Sequence, residues 1–125
     1  MIQFDKREAA ALSVELPKLG IKGARVVGDT IVEGGKDLRD VWKRNATETA
    51  GEHGRLYPQS IESNLRVSTD FVVEVGPNPA KPQGSMSFEF GSSKQPPHLD
   101  GQRAADEVVP LIERRIGTAL GLLGL

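Results

Sequence analysis

One segment near the C-terminal end, residues 84–100, most constrains the fold because its physical character changes three times in succession. Large apolar residues first alternate with polar ones, a period of two that predicts a half-buried strand over about 84–90. Pro96 and Pro97 then hold the chain in an extended form that can neither continue a helix nor pair in the centre of a sheet. A helix is predicted to begin near Asp100. A strand, a stiff arm and a helix therefore follow in this order.

The composition indicates one domain that is partly stabilised by its neighbours. A chain of 125 residues most simply forms a single α+β domain over residues 1–125, large enough to bury one core. Aromatic residues make up only 5% of the chain, so this core must consist mainly of aliphatic side chains. The 14 glycines and 8 prolines are high numbers for this length, which favours oligomerisation.

Charge, cysteine content and hydropathy exclude several classes of function. With 16 basic and 17 acidic residues the chain has no long-range attraction for nucleic acid, which disfavours a dedicated DNA-binding role. Cysteine is absent, which excludes disulfides, thiolate metal sites and thiol nucleophiles. The apolar runs are too short to span a bilayer, and the N-terminal sequence MIQFDKRE lacks the apolar core of a signal peptide. We expect a protein made in the cytoplasm that does not contact a membrane.

Two helices are predicted in the N-terminal half. Asp5 can cap a helix over about 5–16, and a proline at position 17 ends it. Apolar residues repeat at three and four positions over about 24–50, which predicts a longer amphipathic helix. Gly34 and Gly35 lie inside that helix, where each costs about 1 kcal/mol relative to alanine. They either weaken the prediction or mark a close helix contact.

The C-terminal half predicts a sheet followed by a helix. Strands are expected over about 60–68, 70–76 and 84–90, forming a three-stranded antiparallel β-meander. Helical spacing returns over about 101–123, where Pro110 either opens a second helical piece or kinks one long helix. The predicted fold class is α+β: N-terminal helices, a three-stranded antiparallel meander, and a C-terminal helix packed on the sheet.

The residues that could carry catalysis form no recognisable motif. A zinc site would need His53 and His98 to meet from distant loops, since neither has the spacing of a metal ligand pair. Ser92 and Ser93 follow a glycine, but no histidine is placed by sequence to activate them. We therefore expect no catalytic residue, no metal and no cofactor. A small α+β enzyme or ligand-binding domain that uses the two histidines is the alternative.

Three segments resemble a known family: AGEHGRLYPQSI at 50–61, AKPQG at 80–84 and FEFGSSKQPPHLD at 88–100. They are similar to the minor tail component or neck protein of long-tailed bacteriophages, in the form seen in phages of actinobacteria. Members carry a GRL…SI element that opens the first strand, a strand that ends in EFG-T/S or EYGS, a proline-rich arm and a C-terminal helix. Here the first element is interrupted by Tyr57 and Pro58. The residues placed in the motifs are Gly54, Arg55, Leu56, Tyr57, Pro58, Ser60, Ile61, Glu89, Phe90, Gly91 and Ser92.

The resemblance implies a structural role in the virion and no catalysis. The chain would form a hexameric ring in the head-to-tail connector, with tail completion as its task and DNA passing through the lumen without sequence-specific binding. Its partners would be further copies of itself, neighbouring adaptor or stopper proteins, and the tail terminator or tail tube. A tail terminator protein in the same region is the alternative.

Two proline-bearing segments are the candidate contacts with neighbouring subunits or adjoining rings. Proline stiffens both of them, so little conformational entropy would be lost on docking. The residues are Lys94, Gln95, Pro96, Pro97, His98 and Leu99 in the arm, and Pro77, Pro79, Lys81 and Pro82 in the loop before it. The alternative is that both are ordered surface loops of a monomer.

Overall fold

A computed structural model describes residues 3–5, 10–15, 20–50, 56–67, 70–78, 99–122 and 124. Four strands and three helices lie in this part of the chain. In chain order they are β1 (Gln3–Asp5), β2 (Ala10–Glu15), α1 (Gly20–Ala50), α2 (Tyr57–Ser60), β3 (Ile61–Val67), β4 (Asp70–Pro77) and α3 (Asp100–Leu122). The protein is a mixed α+β fold.

The four described strands form one antiparallel sheet in the order β1-β2-β4-β3. β3 and β4 are a hairpin whose register runs from Ile61 opposite Pro77 to Val67 opposite Phe71. On its other side β4 pairs with β2, from Ala10 opposite Val75 to Glu15 opposite Asp70. The central strand β4 is therefore hydrogen-bonded along both edges.

Helix α1 lies between the sheet and α3, and its two adjacent glycines make both contacts possible. A Cβ atom on Gly34 would lie 2.5 Å from Ile112 Cδ1 of α3. A Cβ atom on Gly35 would collide with Val73 of β4 and would lie 2.8 Å from Ser63 Oγ of β3. The close-contact interpretation of the glycine pair is therefore confirmed.

The core forms where these layers meet. α1 contributes apolar side chains to both interfaces, and α3 contributes one buried stripe with helical spacing. The buried apolar residues are Val27, Ile31, Leu38, Trp42, Ala46, Tyr57, Ile61, Val73, Val75, Ala104, Ala105, Val108, Ile112, Ile116 and Leu120. Apart from Trp42 and Tyr57 these side chains are aliphatic.

The predicted helix over about 5–16 is wrong, because the chain there forms β1 and β2. Gln3 pairs with Ser13 and Asp5 with Ala11 in an antiparallel ladder. The sequence of β2, AALSVE, places Leu12 and Val14 two residues apart, so it fits a strand period as well as a helical one. Pairing with β4 decides between the two periods, since long-range contacts override weak local propensity.

The predicted three-stranded meander is also wrong. Its first two strands correspond to the β3–β4 hairpin. Its third strand would have to pair with the free side of β4, and β2 occupies that side. The predicted strand over about 84–90 lies outside the described residues.

The two long predicted helices correspond to α1 and α3, with a difference in how α3 packs. α1 begins at Gly20, earlier than predicted, and α3 runs as one helix from Asp100 to Leu122 with Pro110 inside it. The prediction placed the C-terminal helix on the sheet, whereas α3 packs mainly on α1. The reason is that α1 covers the inner face of the sheet and offers a second apolar face of its own.

Candidate functional site

The structure describes part of the candidate assembly residues. Of the arm and loop residues, Leu99 and Pro77 belong to the described chain. Those outside it are Lys94, Gln95, Pro96, Pro97, His98, Pro79, Lys81 and Pro82, together with the motif residues Gly54, Arg55, Glu89, Phe90, Gly91 and Ser92 and the histidine at position 53. The motif residues that are described form the turn between α1 and β3.

That turn is a buried structural element. α2 begins at Tyr57 with Pro58 in its first turn, where a missing backbone N–H is tolerated. Tyr57, Ser60 and Ile61 are fully buried, and Ser60 Oγ donates a hydrogen bond to the carbonyl of Tyr57 at 2.6 Å. Leu56, immediately before them, is 39% exposed. These motif residues therefore hold the fold together, and Leu56 is the one of them that reaches the surface.

The chain over residues 79–98, which we call the proline-bearing segment because it contains most of the loop and arm residues, follows a residue that is attached to this turn. Pro77 is the last residue of β4 and pairs with Ile61. Asn78, the next residue, donates its backbone N–H to the carbonyl of Ser60 at 2.7 Å. The side chain of Asn78 also donates to Glu62 Oε2 at 2.9 Å. The position and direction in which the chain leaves the sheet are therefore fixed by two hydrogen bonds.

The end of the segment is attached to α1 through a buried carboxylate. Asp100, the first residue of α3, is fully buried. Its carboxylate accepts hydrogen bonds from Thr49 Oγ1 at 2.8 Å and from Arg103 Nη2 at 2.7 Å. Its backbone carbonyl accepts one from Asn45 Nδ2 at 3.0 Å. A negative charge at a helix N-terminus also interacts favourably with the helix dipole.

The residues on either side of Asp100 are both constrained, Leu99 in its backbone and Gly101 in its packing. Leu99 has a φ of 54°, in the left-handed region, which costs a non-glycine residue on the order of 1 kcal/mol or more. Its carbonyl accepts the first helical hydrogen bond of α3, from the N–H of Arg103 at 2.9 Å. Gly101 lies against the indole of Trp42, where a Cβ atom would be 2.7 Å from the ring. The entry into α3 is thus held in one conformation by packing and hydrogen bonds.

These contacts form one connected group, which we call the anchor cluster. Its centre is the hydrogen bond from Trp42 Nε1 to the hydroxyl of Tyr57, at 3.3 Å. One branch runs from Tyr57 to Ser60 and Asn78, and the other from α1 to the start of α3. The members are Trp42, Asn45, Thr49, Tyr57, Ser60, Asn78, Leu99, Asp100, Gly101 and Arg103. The cluster attaches the described residues on either side of the chain over 79–98 to one core.

The sequence analysis predicted a proline-bearing loop over 76–84, an arm over 94–99 and a helix start near Asp100, and it missed the contacts that hold Asn78 and Asp100 in place. Asp100 was predicted as the start of a helix, and its partners, the buried Asn45 and the exposed Thr49, were assigned no role. Each lies more than fifty positions before Asp100, and no local pattern links them. The available signal was Trp42, the one tryptophan of the chain, on the apolar face of a predicted helix.

Two exposed ion pairs align α1 with α3. Arg44 contacts Glu107 at 3.0 Å, and Asp37 contacts Arg115 at 2.6 Å. Both pairs are half exposed, so each contributes at most about 1 kcal/mol of stability. Their order along the helices shows that α1 and α3 run antiparallel.

The described residues contain neither a group of metal-ligating side chains nor a membrane-spanning helix. No three His, Asp or Glu residues of the described chain are grouped so that they could hold a metal ion. Similarly, none of the described helices combines the length and the apolar character needed to cross a lipid bilayer.

Comparisons with protein-family models, with curated proteins and with solved structures found no match. The family resemblance therefore depends on the three sequence segments over residues 50–61, 80–84 and 88–100. What the structure adds is the position of two described motif residues, Tyr57 and Ser60, in the anchor cluster.

Proposed function

We propose that the chain is a structural subunit of the head-to-tail connector of a long-tailed bacteriophage. In this role it forms a hexameric ring between the capsid connector and the tail tube and takes part in tail completion. The neighbouring adaptor or stopper protein and the tail terminator or tail tube are its partners in the virion. The proposal is drawn from the resemblance of the three sequence segments.

The observation that best supports this role is the attachment of both ends of the proline-bearing segment. Asn78 is hydrogen-bonded to Ser60, and Asp100 is buried against Asn45 and Thr49. A contact segment that is held at both ends loses less conformational entropy on docking than a free chain end does. Ser60, which matches the SI of the family element, belongs to this attachment together with Tyr57, whose carbonyl accepts its hydrogen bond. The residues that keep the fold of the α2 turn would then also hold the arm in position for docking.

The charge of the chain is compatible with a channel for DNA. Basic and acidic residues nearly balance, giving a net charge of −1. A strongly basic lumen would bind phosphate groups and retard a moving genome, because affinity rises with each phosphate that is neutralised. A nearly neutral subunit would let DNA pass.

Deleting residues 95–98 tests this function, because the deletion removes the centre of the arm and leaves the anchor cluster in place. We expect the variant to fold, with an unchanged helical circular dichroism spectrum, and to fail in joining heads to tails in a complementation assay. Glu113→Ala, on the exposed face of α3, is the matched control and should join normally. Normal joining by a folded deletion variant would contradict the proposed role of the arm.

A further inference from the structure

The outer edge of β3 is an open sheet edge in the described part of the chain. β3 stands at the end of the order β1-β2-β4-β3, so β4 is its one described strand neighbour. Asn64 is exposed, and Leu65 is 47% exposed although it is a large apolar residue in a strand. Unpaired edges of this kind are templates for pairing with another strand.

The hydrogen bonds around the hairpin show which backbone groups point outward. The N–H of Asn78 bonds to the carbonyl of Ser60, so these two residues form a hydrogen-bonded pair of the antiparallel ladder. Such pairs alternate along a ladder, which makes Glu62 opposite Gly76 and Asn64 opposite Glu74 the next ones. The N–H and C=O groups of Ser63 and Leu65 therefore point away from β4, toward the open edge.

The described residues of this edge carry none of three features that commonly block strand pairing: a bulge, a proline or a lysine. Its register with β4 advances regularly over seven residues without a bulge. The sequence of β3, IESNLRV, contains no proline and no lysine, and its two charges are of opposite sign. The backbone of β3 is therefore regular enough to pair with another strand over these seven residues.

We propose that β3 pairs antiparallel with β3 of a second copy of this chain, centred on Asn64. In this register Ser63 of one copy and Leu65 of the other form hydrogen-bonded pairs, which uses the groups that point outward. The register also spans all seven residues of β3 and places position 62, a glutamate, opposite position 66, an arginine, twice. Opposite charges directly across a ladder stabilise the pairing, and Leu65 becomes covered. Charge complementarity thus selects a second copy as the partner.

The inference goes beyond the connector function and does not depend on it. A two-fold pairing closes on itself, because each copy uses the same surface, so it cannot continue from subunit to subunit around a ring. It describes the association of free subunits.

Sedimentation velocity over a range of concentrations tests the charge pairing. We expect a reversible species of twice the 13.5 kDa chain mass. Glu62→Arg and Arg66→Glu each place like charges opposite one another. Each should weaken the association and raise the dissociation constant at least about tenfold. The double variant E62R/R66E restores opposite charges in this register and should recover the association.

Glu62→Gln is the folding control, since its amide oxygen can still accept the hydrogen bond from Asn78. A wild-type chain that is monomeric at every concentration would overturn the proposal. Association that is unchanged by the single reversals, including association into rings, would overturn it as well.

A disulfide test examines the same register without changing a charge. The chain has no cysteine, so a single introduced thiol can cross-link only with its counterpart in a second copy. At the centre of the pairing the two Asn64 Cα atoms should be about 4.5 Å apart, within the range of a disulfide. Asn64→Cys should therefore form a covalent dimer rapidly with diamide as oxidant, while Asp29→Cys, exposed on α1, should not. Equal cross-linking of the two variants would contradict the pairing.

Discussion

Glycines occupy two different environments within the helices of this protein. Gly34, Gly35 and Gly101 lie where a Cβ atom would collide with Ile112, Val73 and the indole of Trp42, respectively. Gly117, inside α3, has nothing within 4 Å of the position that its Cβ would take. The sequence alone showed that the glycine pair in α1 needed an explanation, and it left two open. Choosing between them required the neighbours Ile112 and Val73, which are distant in the chain.

Alanine substitution separates the two environments. Gly35→Ala gains about 1 kcal/mol of helix propensity, but overpacking against Val73 should cost more, for a net loss of about 1–2 kcal/mol. Gly117→Ala is the matched control and should raise the free energy of unfolding by about 0.5–1 kcal/mol. Urea unfolding followed by circular dichroism measures both. A stabilising Gly35→Ala would contradict the close packing of α1 on the sheet.

The elements of this fold differ in how far local sequence determines them. α1 and α3 were predictable because their apolar residues repeat at helical spacing over many turns. α3 buries one apolar stripe, and α1 buries apolar residues against both the sheet and α3. β2 was not, since a six-residue segment with Leu12 and Val14 satisfies two periods at once. Its state depends on β4, whose residues lie some sixty positions further along the chain. The same cause made the meander prediction fail.

Pro110 is the element-scale feature whose removal should be favourable. It lies inside α3 at an exposed position, where it cannot donate the hydrogen bond to the carbonyl of residue 106. Pro110→Ala restores this donor and should raise the free energy of unfolding by about 1–3 kcal/mol. Glu113→Ala, also exposed on α3, should change it by less than about 0.5 kcal/mol. A destabilised Pro110→Ala would mean that packing of α3 on α1 requires the proline.

At the scale of the whole molecule, the sheet, α1 and α3 share one core, and the anchor cluster attaches to it the described residues on either side of the chain over 79–98. These residues include Asn78 and Asp100, and their hydrogen-bond partners come from α1 and the α2 turn. From the sequence, a proline-bearing loop over 76–84, an arm over 94–99 and a helix start near Asp100 were predicted as separate features. The attachment of Asn78 and Asp100 could not be predicted, because it consists of long-range hydrogen bonds to Ser60, Asn45 and Thr49.

Electron cryomicroscopy of particles made from the genome that encodes this chain tests the central claim most directly. The connector function predicts a hexameric ring of this fold between the capsid connector and the tail tube, with the segment over residues 79–98 contacting a neighbouring subunit or an adjoining ring. Mass spectrometry of the purified particles should detect the chain in the same preparation. Particles whose connector and tail are fully explained by other proteins, and from which this chain is absent, would contradict the account.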